Sequence, residues 1–386
     1  MAGSEHRLRG SAWRRRVDLW VGAPLLGGLG LLRAKRPRPR EIRRVVLLQT
    51  AAIGDTLLMA QAIRRVREAL PGARLVLALG RDNGAACKLL PPVDEVVSVD
   101  PLRPWAALRQ LRAQRADVLV DYGTWPRINA LLSALSGAAY TIGFQTPGQA
   151  RHFAYDLAVT HSAARHEVEN QRALLGFLGE AKGWDTRLAA PAAGVPVGAG
   201  PVRPYVVFHA WASGSGKRLK EWPAVHWVKL AAWAADHGFG VVLTGGGSDK
   251  EDTARLAEKM REQAPGIRLW PLAGLHSLAE TAGVIQAAAA VVSVNTGLMH
   301  LAALTEVPTI GLHGPTNPTR WGPYGEKCVS LLPARGVCAY LNLGFEFPRN
   351  VQPCMADLDP ARVVVALEQL LGQSPAKPPG EEHARP

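Results

Sequence analysis

The chain has 386 residues, which is too long for one ordinary domain core and favours two domains. Its 47% hydrophobic and 20% charged residues exclude an intrinsically disordered protein, and its formal net charge of +13 favours anionic partners. The four cysteines, Cys87, Cys328, Cys338 and Cys354, are too few and too scattered for a disulfide scaffold and contain no C-x-x-C zinc signature. A reduced compartment is the default expectation, and pairing of Cys338 with Cys354 stays open.

Residues 1–42 predict a basic and apolar N-terminal arm. Its apolar run, residues 19–32, is shorter than the roughly 20 residues that span a bilayer, and it lacks the small-residue cleavage site of a signal peptide. Basic residues flank the run on both sides, which is typical of a segment at an anionic membrane surface. A helix docked on the protein itself, or a frayed tail, is the alternative.

The first half of the chain alternates short apolar runs with helical patterns. Residues 45–48 predict a buried parallel strand, a turn with Gly54 and Asp55 follows, and residues 57–70 predict a helix. Further strands are expected at residues 74–79, 96–99, 118–120 and 141–143. This alternation predicts βαβ units around a parallel sheet.

The same pattern restarts after an Ala/Gly/Pro-rich linker at residues 191–204. Strands are expected at residues 205–209, 241–244, 291–294 and 309–312. Ligands of open parallel sheets bind beyond the carboxyl ends of the strands, so two such sheets would share one cleft. Residues 373–386, rich in Pro, Lys and Glu, predict a disordered tail.

The turn after the first strand offers a candidate catalytic carboxylate, Asp55. An Asp at a helix start commonly caps the helix and offsets its dipole, and that interpretation stays open. The functional interpretation is a general base aimed into the cleft. The turn does not match G-x-G-x-x-G, so it carries no dinucleotide fingerprint.

Two turns of the second half have the composition of phosphate or nucleotide sites. Residues 209–223 combine small residues with Lys217, Arg218 and Lys220 after a strand, which favours phosphate contact over a solvated basic loop. A glycine-rich turn follows the next strand and ends at Asp249, which either accepts a hydrogen bond from a ligand or caps the following helix.

A third turn carries Asn295, Thr296 and Gly297 before a helix. The free N–H groups at that helix start form an anion site. His300 lies in the first turn, where a histidine is as often a packed side chain as a ligand contact. The neighbouring polar turn makes a ligand contact a serious alternative.

These motifs together resemble those of the bacterial ADP-heptose:lipopolysaccharide heptosyltransferases, glycosyltransferase family 9. The resemblance extends from about residue 43 to residue 370 and rests on four motifs: Gly54-Asp55, Lys220-Glu221-Trp222-Pro223, Asn295-Thr296-Gly297-x-x-His300, and Gly314-Pro315-Thr316-Asn317-Pro318 before Trp321-Gly322-Pro323. It implies an α/β GT-B fold, with two Rossmann-like, doubly wound domains facing a central cleft. Residues 43–190 would bind the acceptor and residues 205–372 the donor.

The resemblance implies inverting, metal-independent transfer of a heptose from ADP-heptose, with no cofactor. Asp55 falls on the family's proposed general base and Lys220 on its phosphate-contacting lysine. The family commonly has Asp at the position of Asn295, which leaves the exact donor sugar open. The other predicted donor-binding residues are Ser213, Lys217, Asp249, His276, Asn295, Thr296, Gly297 and His300.

The expected partners are a nucleotide-sugar, an anionic glycolipid acceptor such as a lipopolysaccharide core and, through the arm, a membrane surface. They place a monomeric enzyme in the cytoplasm, peripheral on the cytoplasmic face of the inner membrane. A nucleotide-sugar 2-epimerase on the same fold and a non-catalytic, acidic-glycolipid-binding protein of the membrane surface stay open as alternatives. Nucleic acid is not expected, because the basic residues concentrate in the arm without interleaved aromatic side chains.

Overall fold

Two six-stranded parallel sheets form the frame of the protein. The computed structural model describes residues 16–181, 183–189, 201–213, 217–334, 338–342 and 353–372. The strands of the first sheet are β1 (Arg44–Gln49), β2 (Arg74–Leu79), β3 (Glu95–Ser98), β4 (Val118–Asp121), β5 (Tyr140–Gln145) and β6 (Leu157–Thr160). Those of the second are β7 (Tyr205–His209), β8 (Gly240–Leu243), β9 (Leu269–Pro271), β10 (Ala290–Val294), β11 (Thr309–Leu312) and β12 (Cys328–Leu331).

The two sheets have the same topology. Their spatial orders are β3-β2-β1-β4-β5-β6 and β12-β11-β10-β7-β8-β9, so each half places its first strand beside its fourth. This is the doubly wound order in which the connection reverses direction, at β1/β4 and at β7/β10. The prediction of two Rossmann-like α/β halves is confirmed, and the two reversal points are where ligands are expected.

The central strands β1, β4, β7 and β10 are buried along almost their whole length because helices cover both faces of each sheet. Val45 of β1 pairs with Leu75 on one side and with Val118 on the other, and all three side chains are buried. In the second sheet, Val291 of β10 lies between Val207 and Thr309.

The helices follow the expected alternation. Their bounds are α1 (Ala23–Leu32), α2 (Ile53–Leu57), α3 (Ala60–Ala69), α4 (Pro104–Ala113), α5 (Arg127–Leu135), α6 (Glu167–Ala173), α7 (Lys217–Lys220), α8 (Ala224–Asp236), α9 (Lys250–Gln263), α10 (Leu278–Gln286), α11 (Gly297–Leu304), α12 (Pro318–Trp321) and α13 (Pro360–Leu370).

Several predicted bounds were wrong. The helix expected at residues 57–70 is present as α3 but begins at Ala60, and a separate short helix, α2, precedes it and begins at Ile53. The strands β6, β9 and β12 were not predicted. They lie at the edges of the sheets, where partly exposed residues weaken the apolar pattern that identifies buried strands. Of the predicted linker, residues 191–200 lie outside the described residues, as does the predicted tail at residues 373–386.

One hydrophobic cluster runs through both halves. It contains Val45 and Leu47 of the first sheet together with Tyr205 and Val207 of the second, and Leu301 of α11 packs in the same cluster. The two sheets are therefore joined by a shared core as well as by the chain connection.

The N-terminal arm is docked on the first half. A π-helical turn, Asp18–Gly22, leads into α1, whose Leu26 is buried in a cluster with Ala130 and Tyr155. This confirms, for one side of the arm, the alternative of a helix packed on the protein itself. Among the described helices, none combines the length and the apolar character needed to cross a bilayer.

The cysteine pairing left open by the sequence is present. Cys338 and Cys354 form a disulfide with an S–S distance of 2.07 Å, whereas Cys87 and Cys328 are free.

Candidate functional site

The helix that carries Asp55 lies against the helix that begins at Gly297, across the cleft. A Cβ built on Gly54 would lie 2.8 Å from His300 Cδ2 and 3.2 Å from the Gly297 Cα, so only glycine fits at residue 54 without a shift. Asp55 is half-buried beside this contact. The structure thus brings the candidate base of the first half to the candidate phosphate turn of the second.

The turn that presents Asp55 has an unusual backbone. The N-cap position of α2 is Ala52, not Asp55, so the interpretation of Asp55 as the capping residue was wrong; it lies in the first turn of α2. Ala52 has φ 67°, a region that costs a non-glycine residue about 1–3 kcal/mol and that concentrates at functional sites.

The start of α11 has the geometry of an anion site. Thr296 is the N-cap, and its side chain accepts a hydrogen bond from Leu298 N at 3.3 Å. Further N–H groups of this first turn have no partner within the helix, so the helix end attracts negative charge. The predictions of a strand ending before Asn295 and of a helix starting at Gly297 are confirmed.

His300 is buried and neutral in the first turn of α11. Burial, with smaller contributions from His166 and His313, lowers the pKa of His300 to about 3. Its Nδ1 has no hydrogen-bond partner among the residues that the structure describes. A neutral imidazole with an unpaired buried nitrogen at the cleft is suited to hydrogen bonding with a ligand rather than to ion pairing.

Asn295 is held through its amide nitrogen. Asn295 Nδ2 donates to the Trp321 carbonyl at 3.0 Å and lies 3.3 Å from His313 Nδ1. A carboxylate could not donate to that carbonyl, so the surroundings of residue 295 suit Asn rather than the Asp common in the family.

The loop after β7 contains two separate sets of polar contacts. Lys217 Nζ lies 3.5 Å from Glu221 and 3.4 Å from Asp249, while Lys220 Nζ donates to the Ser213 carbonyl at 3.4 Å. Burial lowers the pKa of Lys217, but the two carboxylates outweigh it and raise this pKa, which keeps the lysine cationic. Residues 214–216 of this loop lie outside the described residues.

The glycine-rich turn after β8 is next to this loop. Asp249 occupies the N-cap position of α9 without capping it; Oδ2 accepts instead from Gly246 N at 2.9 Å and closes the turn on itself. His276 lines a small cavity together with Thr244 and Gly245. The predicted donor residues therefore all follow strands of the second sheet, at its carboxyl edge or in the segments next to it.

A buried charge network that the sequence did not reveal joins the halves beside the site. Arg320 Nε donates to Glu167 Oε2 at 2.7 Å, and the same oxygen lies 3.2 Å from His161 Nε2. Burial alone would raise the pKa of Glu167, but Arg320 and His161 outweigh it and hold this pKa well below its usual range. Asn317 of the Gly314–Pro318 motif donates to the Ala163 carbonyl at 3.1 Å, so this motif contributes to the domain contact.

A second buried network was also missed, at the end of β4. Arg151 Nη2 contacts Asp121 Oδ2 at 2.9 Å and the Tyr155 hydroxyl at 2.6 Å. Asn129 Nδ2 donates to Thr50 Oγ1 at 2.7 Å and thereby links α5 to the turn that carries Asp55. The ion pairs Glu167–Arg320 and Asp121–Arg151 join residues 153 and 30 positions apart, so no local pattern could have identified them.

Comparisons with known proteins agree with this geometry. The family model described as glycosyltransferase family 9 (heptosyltransferase) matches residues 105–338. The chain is 28% identical over 366 residues to lipopolysaccharide heptosyltransferase 1 of Pseudomonas aeruginosa, covering 85% of this chain and 98% of the relative. It is 28% identical over 306 residues to the Escherichia coli K12 protein of the same name, covering 74% and 92%.

Solved structures show the same fold. The E. coli ADP-heptose lps heptosyltransferase II superposes with a TM-score of 0.65 at 21% identity, covering 86% of this chain and 98% of that one. The E. coli heptosyltransferase WaaC with ADP superposes with a TM-score of 0.64 at 23% identity, covering 85% and 99%. The expected GT-B arrangement of two α/β domains is thus confirmed.

Proposed function

This chain belongs to glycosyltransferase family 9, and we propose that it transfers a heptose from ADP-heptose to a lipopolysaccharide core or a related glycolipid. The observation that carries the proposal is the contact of α2 with α11, which sets Asp55 beside the Thr296–Gly297 turn. A base from one domain and an anion-binding helix end from the other are the two groups that displacement of a nucleoside diphosphate requires.

Asp55 is the general base of the proposed mechanism. The acceptor hydroxyl gives its proton to the Asp55 carboxylate while its oxygen attacks the anomeric carbon of the donor. The bond from that carbon to the diphosphate oxygen breaks, and attack from the opposite face inverts the configuration. General-base assistance of this kind contributes about 10²–10⁴-fold to a rate.

The second domain stabilises the departing diphosphate. Negative charge builds on the leaving group as the bond breaks, and in this proposal Lys220, Lys217 and the start of α11 offset it. Asp249 and His276 lie beside the turn after β8, where the nucleoside is proposed to bind. Asn295 and His300 face the sugar in this proposal, with Ser213 in the phosphate loop.

The relatives support the proposed donor and acceptor. Related proteins are named for heptose transfer to lipopolysaccharide, and one solved relative was determined with ADP. An acceptor of that class is anionic and membrane-embedded, so we place the enzyme on the cytoplasmic face of the inner membrane, as a monomer.

The test uses the purified full chain with ADP-heptose and a deacylated, phosphorylated core oligosaccharide lacking heptose. We expect ADP release that depends on the acceptor, and a product whose new linkage has the configuration opposite to that of the donor. ADP should raise the melting temperature more than UDP or GDP does at equal concentration, because only a bound ligand stabilises the folded state.

Three results would contradict the proposal. A change of sugar configuration without any acceptor would indicate an epimerase, and binding of acidic glycolipid without turnover of any sugar nucleotide would indicate a non-catalytic protein. A larger stabilisation by UDP or GDP than by ADP would rule out the proposed donor.

A further inference from the structure

One side of the N-terminal arm is apolar and is not covered by any residue that the structure describes. Residues 19–32 contain no charged and no hydrogen-bonding side chain apart from the indole N–H of Trp20. Leu26 packs against the first domain, but Trp20, Leu31 and Leu32 are 76%, 89% and 88% exposed. By the 3.6-residue period of α1, Leu31 and Leu32 point away from Leu26, while Trp20 belongs to the preceding π-helical turn. Val21 and Leu25 are also exposed.

A helix that is apolar all round is normally covered all round. The described domains cover one side of this arm, so we expect the other side to contact another apolar environment, such as a lipid bilayer or a second protein surface. We define this uncovered side, formed by Trp20, Val21, Leu25, Leu31 and Leu32, as the arm face.

The charges around the arm face identify what covers it. Arg16 lies before it, and Lys35, Arg38 and Arg40 follow it, all exposed. This combination of an apolar face and flanking basic residues is complementary to an anionic lipid surface. Each basic residue near such a surface raises the membrane-binding constant about severalfold. With no described helix able to cross a bilayer, the arm would lie in the interface.

The arm is fixed to its domain at both ends by buried ion pairs. At the far end Asp156, whose side chain is fully buried, binds Arg33 at 3.0 Å and Arg36 at 2.8 Å. At the near end Asp18 binds Arg127 at 3.0 Å. An arm held in this way transmits its orientation to the domain instead of acting as a loose tether.

Asp18 reaches the acceptor side of the cleft directly. Its Oδ1 accepts from Arg127 N at 2.9 Å and from Ile128 N at 3.3 Å, so the arm caps α5 from outside that helix. The α5 helix follows the turn at the end of β4, and its Asn129 holds Thr50 in the turn of Asp55. Hydrogen bonds of Asp18 and Asn129 thus connect the arm, through α5, to Thr50 in the turn that leads to the candidate base.

We propose that the arm face docks on an anionic membrane surface and that Asp18 transmits this docking to the acceptor side of the cleft. The arm would present the cleft to a membrane-embedded acceptor in a fixed orientation. The statement about the acceptor rests on the proposed function, whereas docking and its transmission do not.

The docking test is sedimentation with vesicles of phosphatidylglycerol and phosphatidylethanolamine, or of neutral phosphatidylcholine. We expect the full chain to prefer the anionic vesicles, and the triple variant Trp20→Ser/Leu31→Ser/Leu32→Ser to bind them at least about tenfold more weakly. Trp105→Ser is the matched control, because Trp105 is also exposed, at 82%, but lies outside the arm.

Equal loss in Trp105→Ser, or no preference for anionic lipid, would overturn the docking. So would a lipid-independent dimer, seen by analytical ultracentrifugation, that the triple variant abolishes, since a second copy would then cover the arm face.

The transmission test is amide hydrogen exchange in residues 122–129, which needs no sugar. Anionic vesicles should slow exchange there in the full chain. They should not slow it in Asp18→Asn, because the side-chain amide of this variant carries no negative charge and cannot form the ion pair with Arg127. Asp18→Asn should also raise the KM for a membrane-embedded acceptor about tenfold and leave the KM for the donor unchanged.

Glu41→Gln serves as the control for Asp18→Asn, since it removes an exposed ion pair with Arg43. Unchanged exchange in the full chain on vesicles, or the same slowing in Asp18→Asn, would overturn the transmission. If the sugar chemistry were wrong but vesicle binding and exchange behaved as stated, the proposed function would fail and this inference would stand.

Discussion

At the scale of single residues, the proposed mechanism divides its work between the two domains. Asp55 lies in the first half, and the cationic and N–H groups that we propose offset the diphosphate charge lie in the second. A substitution on one side should therefore affect the proton transfer, and a substitution on the other should affect the diphosphate.

Replacement of Asp55 by Asn should remove the proton acceptor while keeping the shape of the side chain. We expect kcat to fall about 10²–10⁴-fold and the Kd for ADP to stay within about twofold, measured by steady-state assay and calorimetry. Loss of ADP affinity with normal turnover at saturating donor would show that Asp55 is a binding residue instead.

Replacement of Lys220 by Ala should weaken the binding of ADP, which the replacement of Asp55 should leave nearly unchanged. A charged hydrogen-bond donor to phosphate is lost, so the Kd for ADP should rise about tenfold or more. Lys229→Ala, an exposed lysine on α8, is the matched control and should bind ADP normally. Equal affinities of the two variants would remove Lys220 from the donor site.

At the scale of elements, the contact of α2 with α11 depends on two glycines. A Cβ on Gly297 would lie 3.0 Å from Gly54 N, just as one on Gly54 would meet Gly297 and His300. The helices approach at this point closely enough that neither tolerates a side chain.

Gly54→Ala should push α2 away from α11 and displace Asp55 from the reacting hydroxyl. We expect kcat to fall at least about tenfold, because small misplacements of a catalytic group are costly. Gly84→Ala is the matched control, since a Cβ there meets nothing within 4 Å. Normal turnover in Gly54→Ala would mean that this contact is not needed for catalysis.

The sequence predicted the elements of this contact but not the contact itself. The strand at residues 45–48 precedes α2, and the turn with Asn295 precedes α11. Both were predicted from local patterns, and both are present where expected. The ion pair of Glu167 with Arg320 joins residues 153 positions apart. Only the fold brings these two residues together, so the residues next to either of them in sequence do not predict the pairing. The helix break between α2 and α3 was missed because the apolar pattern continues through it.

At the scale of the whole molecule, the second half buries several neutral histidines. Burial lowers the pKa of His209 to about 4 and the pKa values of His300 and His313 to about 3. In the unfolded chain such groups take up a proton near pH 6.5.

Stability should therefore fall as the pH drops below about 6.5, since the unfolded chain then binds protons that the folded protein cannot. Each such histidine contributes a slope of about 1.4 kcal/mol per pH unit, and the loss continues down to the folded pKa near 4 or 3. Urea unfolding at pH 7.5, 6.0 and 5.0 measures this slope. His209→Gln should reduce it by about one proton, and a stability that does not change between pH 7 and 5 would contradict the expectation.

The ion pair of Glu167 with Arg320 has a consequence for recombination between family members. Helix α6 precedes the chain connection between the sheets, yet its Glu167 is neutralised by a residue of the second half. A chimera that exchanged only the chain from β7 onward would pair this buried carboxylate with a foreign partner. An exchange that begins before His161 would transfer His161, Glu167 and Arg320 together, so the segment that can be exchanged with its buried charges intact is longer than the second half.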